Sequence, residues 1–264
     1  MPIRTSGEIL YHTFESFERA GIVHGTISRR GGVSREPWAS LNVGGTVGDD
    51  ASCVLENRRR SFQALGRPFE SLYDVWQVHG VEVVCTDSPR PPDQPHLKAD
   101  VILTDQPGVT LFMRFADCVP IFLYDPVRQA IGLVHAGWLG TVDKTALQAV
   151  RAMQRCYDSE PRDILAGIGP SIAPHHYPVG PEVIEKVNQA FAGSASSVLI
   201  GSNGSQPESG VKFDLWSANR LILEEAGVRQ IEISQICTAC HPEDWYSHRG
   251  EKGRTGRFGA LIGL

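Results

Sequence analysis

The sequence predicts a mixed α/β fold with mixed, largely antiparallel sheets, and two observations carry that reading. Five short runs rich in β-branched and aromatic residues crowd residues 81–135, each closed by turn residues. Segments with helical periodicity lie before and after this block instead of alternating with its strands, which argues against a regular βαβ series.

Taken in order, residues 51–65 predict a helix that aligns Val54, Leu55, Phe62 and Leu65 on one stripe. Strands are expected over 81–86, 101–104, 109–112, 119–124 and 130–135, with the proline-rich stretch 88–93 as a rigid loop. Residues 141–154 predict one helix, with Thr141 as its N-cap and Val142, Ala146, Ala149, Val150 and Met153 on its apolar face. Helices over 183–191 and 215–226 follow, the last stopped by Gly227. Between them, about residues 194–210, a polar glycine- and serine-rich segment reads as an exposed loop with the character of a lid. No repeat is visible, and residues 1–264 read as a single catalytic domain.

Composition excludes several function classes. At 264 residues, 41% hydrophobic and 21% charged, the chain is long enough for a sizeable core. A net charge of −5 lacks the basic balance of a nucleic-acid binder. No apolar stretch reaches the roughly 20 residues of a membrane span. The opening residues, Met1 to Ser6, lack the basic start and apolar run of an export signal. The six cysteines therefore read as reduced thiols of a cytoplasmic protein, with no obligate protein partner evident.

Three residues carry the chemistry: His79 in Gln77-Val78-His79-Gly80, Cys118 in Ala116-Asp117-Cys118, and His135 in His135-Ala136-Gly137-Trp138. Each stands where an apolar run meets a turn, so each can project from a strand end into a shared cleft. Pairing residues 119–124 with 130–134 brings Cys118 and His135 side by side, whereas His79 must be delivered by tertiary folding. Two imidazoles and a thiolate suit zinc with one open coordination position, and Cys118 with His135 equally suits a nucleophile and its base. Taken singly, a buried cysteine also serves as a small hydrophobe, and a histidine as a partner for backbone groups. A separate run, Cys237-Thr238-Ala239-Cys240-His241, matches the pattern for covalent haem attachment, but that chemistry belongs to exported proteins. A zinc or redox role for this pair finds no second ligand pair in the sequence.

The local sequences are more specific than the spacing. Ser28-Arg29-Arg30-Gly31-Gly32-Val33-Ser34, Ser40-Leu41-Asn42-Val43-Gly44 and Asn57-Arg58 precede the three motifs above. Ile168-Gly169-Pro170-Ser171-Ile172, Phe213-Asp214-Leu215, Cys237-Thr238, Ser247-His248-Arg249 and Thr255-Gly256-Arg257 follow them. In this ordered set, over nearly the whole chain, the protein resembles the YfiH-type laccase-domain family, described as purine nucleoside phosphorylases with adenosine deaminase activity. The resemblance implies a four-layer α/β/β/α sandwich and zinc held by His79, Cys118 and His135, with purine nucleosides and phosphate as ligands. Arg29, Asn42 and Arg58 become candidate substrate-binding residues, and Arg30, Arg249, Arg254 and Arg257 are further candidate phosphate donors. Asp117 is a candidate catalytic residue, as a general base or as the group that orients the cysteine. Two alternatives remain open: a Cys–His amide hydrolase that edits peptidoglycan precursors, and a copper-dependent polyphenol oxidase with Met113 as a weak axial ligand. The chain departs from the family pattern at Leu139, where an arginine is typical.

Overall fold

A computed structural model describes residues 2–201 and 210–264. The chain opens with β1 (Ile3–Ser6), β2 (Ile9–His12), the short helix α1 (Glu15–Arg19), β3 (Val23–Ile27) and α2 (Ala51–Ala64). Six strands follow: β4 (Leu72–Tyr73), β5 (Val83–Cys85), β6 (Val101–Thr104), β7 (Thr110–Phe115), β8 (Val119–Asp125) and β9 (Ala130–Ala136). Next come α3 (Trp138–Val142), α4 (Thr145–Tyr157), β10 (Leu165–Ile168) and α5 (Pro181–Phe191). The chain closes with β11 (Leu199–Ile200), β12 (Lys212–Phe213), α6 (Leu215–Glu225), β13 (Gln230–Ile233) and β14 (Phe258–Gly263).

Two six-stranded sheets form, in the orders β1-β2-β3-β14-β7-β4 and β13-β10-β8-β9-β6-β5. Within these two sheets, among the described residues, parallel strand pairing is confined to the outermost pairs β4–β7, β10–β13 and β5–β6, and the remaining strand pairs are antiparallel. Strand alternation then builds the layers. Phe122 and Tyr124 of β8 join Phe258, Ala260 and Ile262 of β14 in a core between the sheets. Val119, Ile121 and Leu123 of β8 face the other way, onto α4 and α6. Leu261 of β14 likewise turns outward to Phe62 of α2. Three apolar interfaces thus separate four layers, helix, sheet, sheet and helix, as expected. No helix among the described residues is long and apolar enough to cross a membrane.

The helix expected over 141–154 divides in two. Helix α3 begins at Trp138 after Gly137, and Lys144 takes a left-handed conformation (φ 59°) before α4 starts. Thr141 is therefore no N-cap. Its hydroxyl accepts from Asn219 Nδ2 (3.0 Å), Thr145 Oγ1 donates to Gly80 O (2.9 Å), and Lys144 Nζ pairs with Glu225. These contacts come from distant segments, so periodicity within the helix carried no sign of the break. The expected loop at 194–210 is also partly ordered. It starts as a 3-10 turn at Ala192–Ser197, continues as β11 paired with β12, and positions 202–209 lie outside the described residues.

Two buried histidines make the fold acid-sensitive. His12 is fully buried, and neither of its ring nitrogens has a partner among the described residues. His24 is saturated: its Nε2 accepts from Phe14 N–H (2.7 Å), which leaves its Nδ1 to donate to Ile22 O (2.9 Å). Burial drives the pKa of each down to about 4. An unfolded chain takes up both protons as pH falls through 6.5, and the folded chain resists until about 4. Stability is thus complete above pH 6.5 and drains as pH falls toward 4, by at most about 3 kcal/mol per histidine. Urea midpoints are expected to fall across that window, with a smaller fall in His12→Leu; equal slopes in the two proteins would remove His12 from the account.

Candidate active site

The β8–β9 hairpin sets the first two groups. Its register pairs Val119 with Ala136 and Pro120 with His135, so Cys118, one residue before β8, lies beside His135. Cys118 follows Asp117, which turns through a left-handed conformation (φ 78°). The Asp117 carboxylate holds that turn: Oδ1 accepts from Thr238 Oγ1 (2.7 Å) and Oδ2 from Arg249 N–H (2.6 Å).

His79 arrives on a second left-handed turn (φ 61°), and Asp100 holds it there. Asp100 Oδ2 accepts from Val78 N–H (3.1 Å) and Gly80 N–H (2.7 Å), while Oδ1 accepts from His135 Nδ1 (2.7 Å). One carboxylate therefore orients the His135 ring and fixes the backbone that carries His79, and it leaves His135 Nε2 as that ring's free ligand atom. The two rings stand 4.9 Å apart between centroids, and His79 Nε2 lies 3.9 Å from Cys118 Sγ. The ligand atoms of all three residues fall within 4.8 Å of one another.

Space has been kept between them. A Cβ on Gly137 would stand 3.0 Å from Cys118 Sγ and 3.2 Å from His79 Cδ2, so glycine alone leaves the donors clear. Burial raises the Cys118 thiol, but the His135 charge and hydrogen bonds from both histidines outweigh it, and the net direction is down. His135 moves oppositely: burial lowers it, and the Cys118 thiolate and Asp100 overcome that and raise it. The donor set and its geometry fit a divalent metal with a position left for water or substrate. The same polarised pair also fits a thiolate nucleophile.

The trio lies in a cavity of about 720 Å³. Arg58, Arg114, Arg249 and Arg257 line it, as do the rings of Trp76, Trp138 and Tyr177. Beneath two of the arginines lies Asp74, which is fully buried and shared among Arg90 (2.8 Å), Arg114 (3.0 Å), Arg58 (3.8 Å) and His96 (3.1 Å). Burial opposes its ionisation, yet these partners hold its carboxyl well below the ordinary range. One carboxylate against three guanidinium groups leaves this wall positive, and burial among like charges pulls Arg58 down to about 10. The cavity thus offers donors to an anion beside flat surfaces for an aromatic ring.

Comparison with known proteins decides the kinship. The family described as "Multi-copper polyphenol oxidoreductase laccase" matches residues 23–264. The chain belongs to this laccase-like family. A relative from Geobacillus stearothermophilus, "Purine nucleoside phosphorylase YlmD", is 37% identical over 92% of this chain and 90% of its own length. A "Purine nucleoside phosphorylase" from Deinococcus radiodurans is 37% identical over 92% and 89%. The crystal structure of YlmD from Geobacillus stearothermophilus superposes with a TM-score of 0.90 at 35% identity, covering 99% of this chain and 98% of that one. The Bacillus licheniformis YfiH structure gives 0.89 at 32% identity, covering 100% and 99%.

Within this laccase-like chain the residues singled out from sequence divide into two groups. His79, Cys118, His135, Asp117 and Arg58 come together on the cavity, joined by Arg249 and Arg257. Arg29 and Asn42 stand outside its lining and build the scaffold. Arg29 donates to Ala39 O, Pro242 O and Glu251, and lies over the Tyr246 ring. The fully buried Asn42 accepts at Oδ1 from Gly44 N–H and Arg257 N–H, and thereby fixes the backbone at Arg257. Arg30, paired with Asp244, and Arg254 are likewise off the lining. Leu139, within α3, packs partly buried against the core, and the cavity's guanidinium groups come from other elements. Asp100, Asp74, Arg114 and the aromatic wall were missed. Asp100 left one trace in the sequence: a lone carboxylate directly before the apolar run Val101–Thr104.

Proposed function

We propose that the chain is a zinc-dependent purine nucleoside phosphorylase that also deaminates adenosine. The observation that carries this reading is an open His–Cys–His donor set within a cavity that presents arginines and aromatic rings together. Relatives named purine nucleoside phosphorylase support it. In phosphorolysis a phosphate oxygen bonds to ribose C1′ while the bond from C1′ to the purine nitrogen breaks, and its electron pair leaves with the base. In deamination water adds at the purine C6 and ammonia departs. His79, Cys118 and His135 would hold the metal, which would supply Lewis-acid chemistry in this cavity.

The protein's own groups do the remaining work. Arg58, Arg114, Arg249 and Arg257 neutralise and orient phosphate. Trp76, Trp138 and Tyr177 hold the purine by its faces. Asp100 keeps His135 in one tautomer, and Asp117 fixes the backbone at Arg249 through its bond to that residue's N–H. Zinc is favoured over copper because Met113, the candidate axial sulfur, is buried in the core between the sheets and is not on the cavity lining.

Metal-stripped protein is expected to lose phosphate-dependent release of adenine from adenosine, and one equivalent of zinc at the trio to restore it. Undiminished turnover by protein verified as metal-free would overturn the proposal. The polarised Cys118–His135 pair favours a second reading, an amide hydrolase with Cys118 as nucleophile. Amide cleavage that resists chelation but stops on thiol alkylation would select that reading.

A further inference from the structure

The run Cys237-Thr238-Ala239-Cys240, which the proposed reaction leaves unused, meets a second ligand pair in the fold. Pro174–His176 forms a 3-10 turn after β10, and it brings His175 and His176 against the two cysteines. The four ligand atoms lie within 4.8 Å of one another. His176 Nδ1 is 3.6 Å from Cys237 Sγ and 3.5 Å from Cys240 Sγ, and His175 Nε2 is 3.0 Å from Cys240 Sγ. Zinc bonds of about 2.3 Å to sulfur and about 2.0 Å to imidazole nitrogen give a tetrahedron with sulfur–nitrogen edges of about 3.5 Å. Both contacts of His176 match that edge, and the His175 contact needs only a small ring adjustment.

We propose that His175, His176, Cys237 and Cys240 form a second, closed His2Cys2 zinc site of structural type, separate from the His79–Cys118–His135 trio. Backbone geometry around the cysteines supports metal-ligating thiolates. Cys240 N–H bonds to Cys237 O (3.2 Å) and closes the CxxC turn, and Ala173 N–H donates to the buried Cys237 Sγ (3.3 Å). A CxxC disulfide makes no use of the two converging imidazoles. Haem attachment gains no support either, since the exposed His241 turns to Glu243.

The site joins two segments that both reach the active cavity. Tyr177, on the cavity lining, follows His176 directly. Thr238, between the two cysteines, donates to Asp117 Oδ1 (2.7 Å) beside Cys118. A metal here cross-links the turn after β10 to the turn after β13 and braces one wall of the cavity. The fourth ligand leaves no open position for chemistry, so its contribution is to order.

Metal-free full-length protein, kept reduced, should take up two equivalents of zinc. With cobalt in place of zinc, the ions should show the thiolate charge-transfer and visible bands of tetrahedral sites. His175→Ala and Cys240→Ser should each bind one equivalent fewer and melt at a lower temperature in zinc, while keeping the equivalent that Cys118→Ala loses. His175 and Cys240 are exposed, and unchanged far-ultraviolet circular dichroism would verify folding of both variants. In wild-type protein, zinc should shield two more thiols from alkylation than in Cys240→Ser with Cys118 occupied, namely Cys237 and Cys240 themselves. Wild-type protein that binds a single equivalent, lost in Cys118→Ala and kept in His175→Ala, would overturn the second site and leave the trio standing. The reverse pattern would leave this site standing and overturn the trio.

Discussion

Cys118→Ala is expected to lose the metal at the trio and to lower kcat/KM for phosphate-dependent adenine release by about a thousandfold or more. A metal that stabilises developing charge is worth several kcal/mol, and each 1.4 kcal/mol or so is a factor of ten in rate. Two imidazoles remain in the variant, but His135 then faces an empty position where the thiolate had balanced its charge. The loss belongs to chemistry and not to folding, because Cys118 is only partly buried and sits at the rim of the inter-sheet core. Measured by steady-state kinetics alongside metal analysis, the variant should melt within a few degrees of metal-free wild type. Near-normal turnover in a metal-free Cys118→Ala protein would end the metal-dependent reading.

Asp74→Ala is expected to be the most destabilising single change around the cavity. The carboxylate is fully buried, and its removal leaves Arg58, Arg90 and Arg114 in mutual repulsion with no counter-charge at their centre. Breaking a buried ionic network by deleting one partner costs about 3–5 kcal/mol, or roughly 10 °C in melting temperature for a chain of this size. Asp74→Asn should lose less, because its amide oxygen still accepts from one of Arg90 and Arg114, which bond to different oxygens of the carboxylate. Phosphate should restore part of the loss in Asp74→Ala, since an anion in the cavity supplies the missing charge. A urea midpoint for Asp74→Ala equal to that of wild type would show that the arginines do not depend on this carboxylate.

Local sequence reveals local structure, and the site shows where that ends. Two short runs rich in β-branched and aromatic residues predicted the β8–β9 hairpin, and its register alone brings Cys118 to His135. The amphipathic stripes predicted α2, α5 and α6 to within a few residues, with Asp50 and Asp214 capping two of them. His79 reaches the pair only through Asp100, and a single aspartate before a strand looks like a turn residue until its three donors are visible in space. Asp74 and Arg114 were hidden for the same reason: their partners are 16 to 40 residues distant. Arg29 and Asn42 show the opposite effect, since they belong to distinctive motifs but serve the loops behind the cavity. The split between α3 and α4 was invisible because Asn219, Gly80 and Glu225 hold it from outside the helix.

The Asp100 carboxylate also bears on how quickly the trio exchanges an ion. The backbone that carries His79 cannot shift without straining the Val78 and Gly80 amide bonds to Asp100, and the His135 ring is tied to the other oxygen of the same group. Stepwise detachment, the ordinary route by which a chelator strips a site, is therefore hindered at His135, whose ring Asp100 holds directly. For an ion held by the trio, residence time would thus depend on the Asp100 contacts as well as on the strength of the individual bonds.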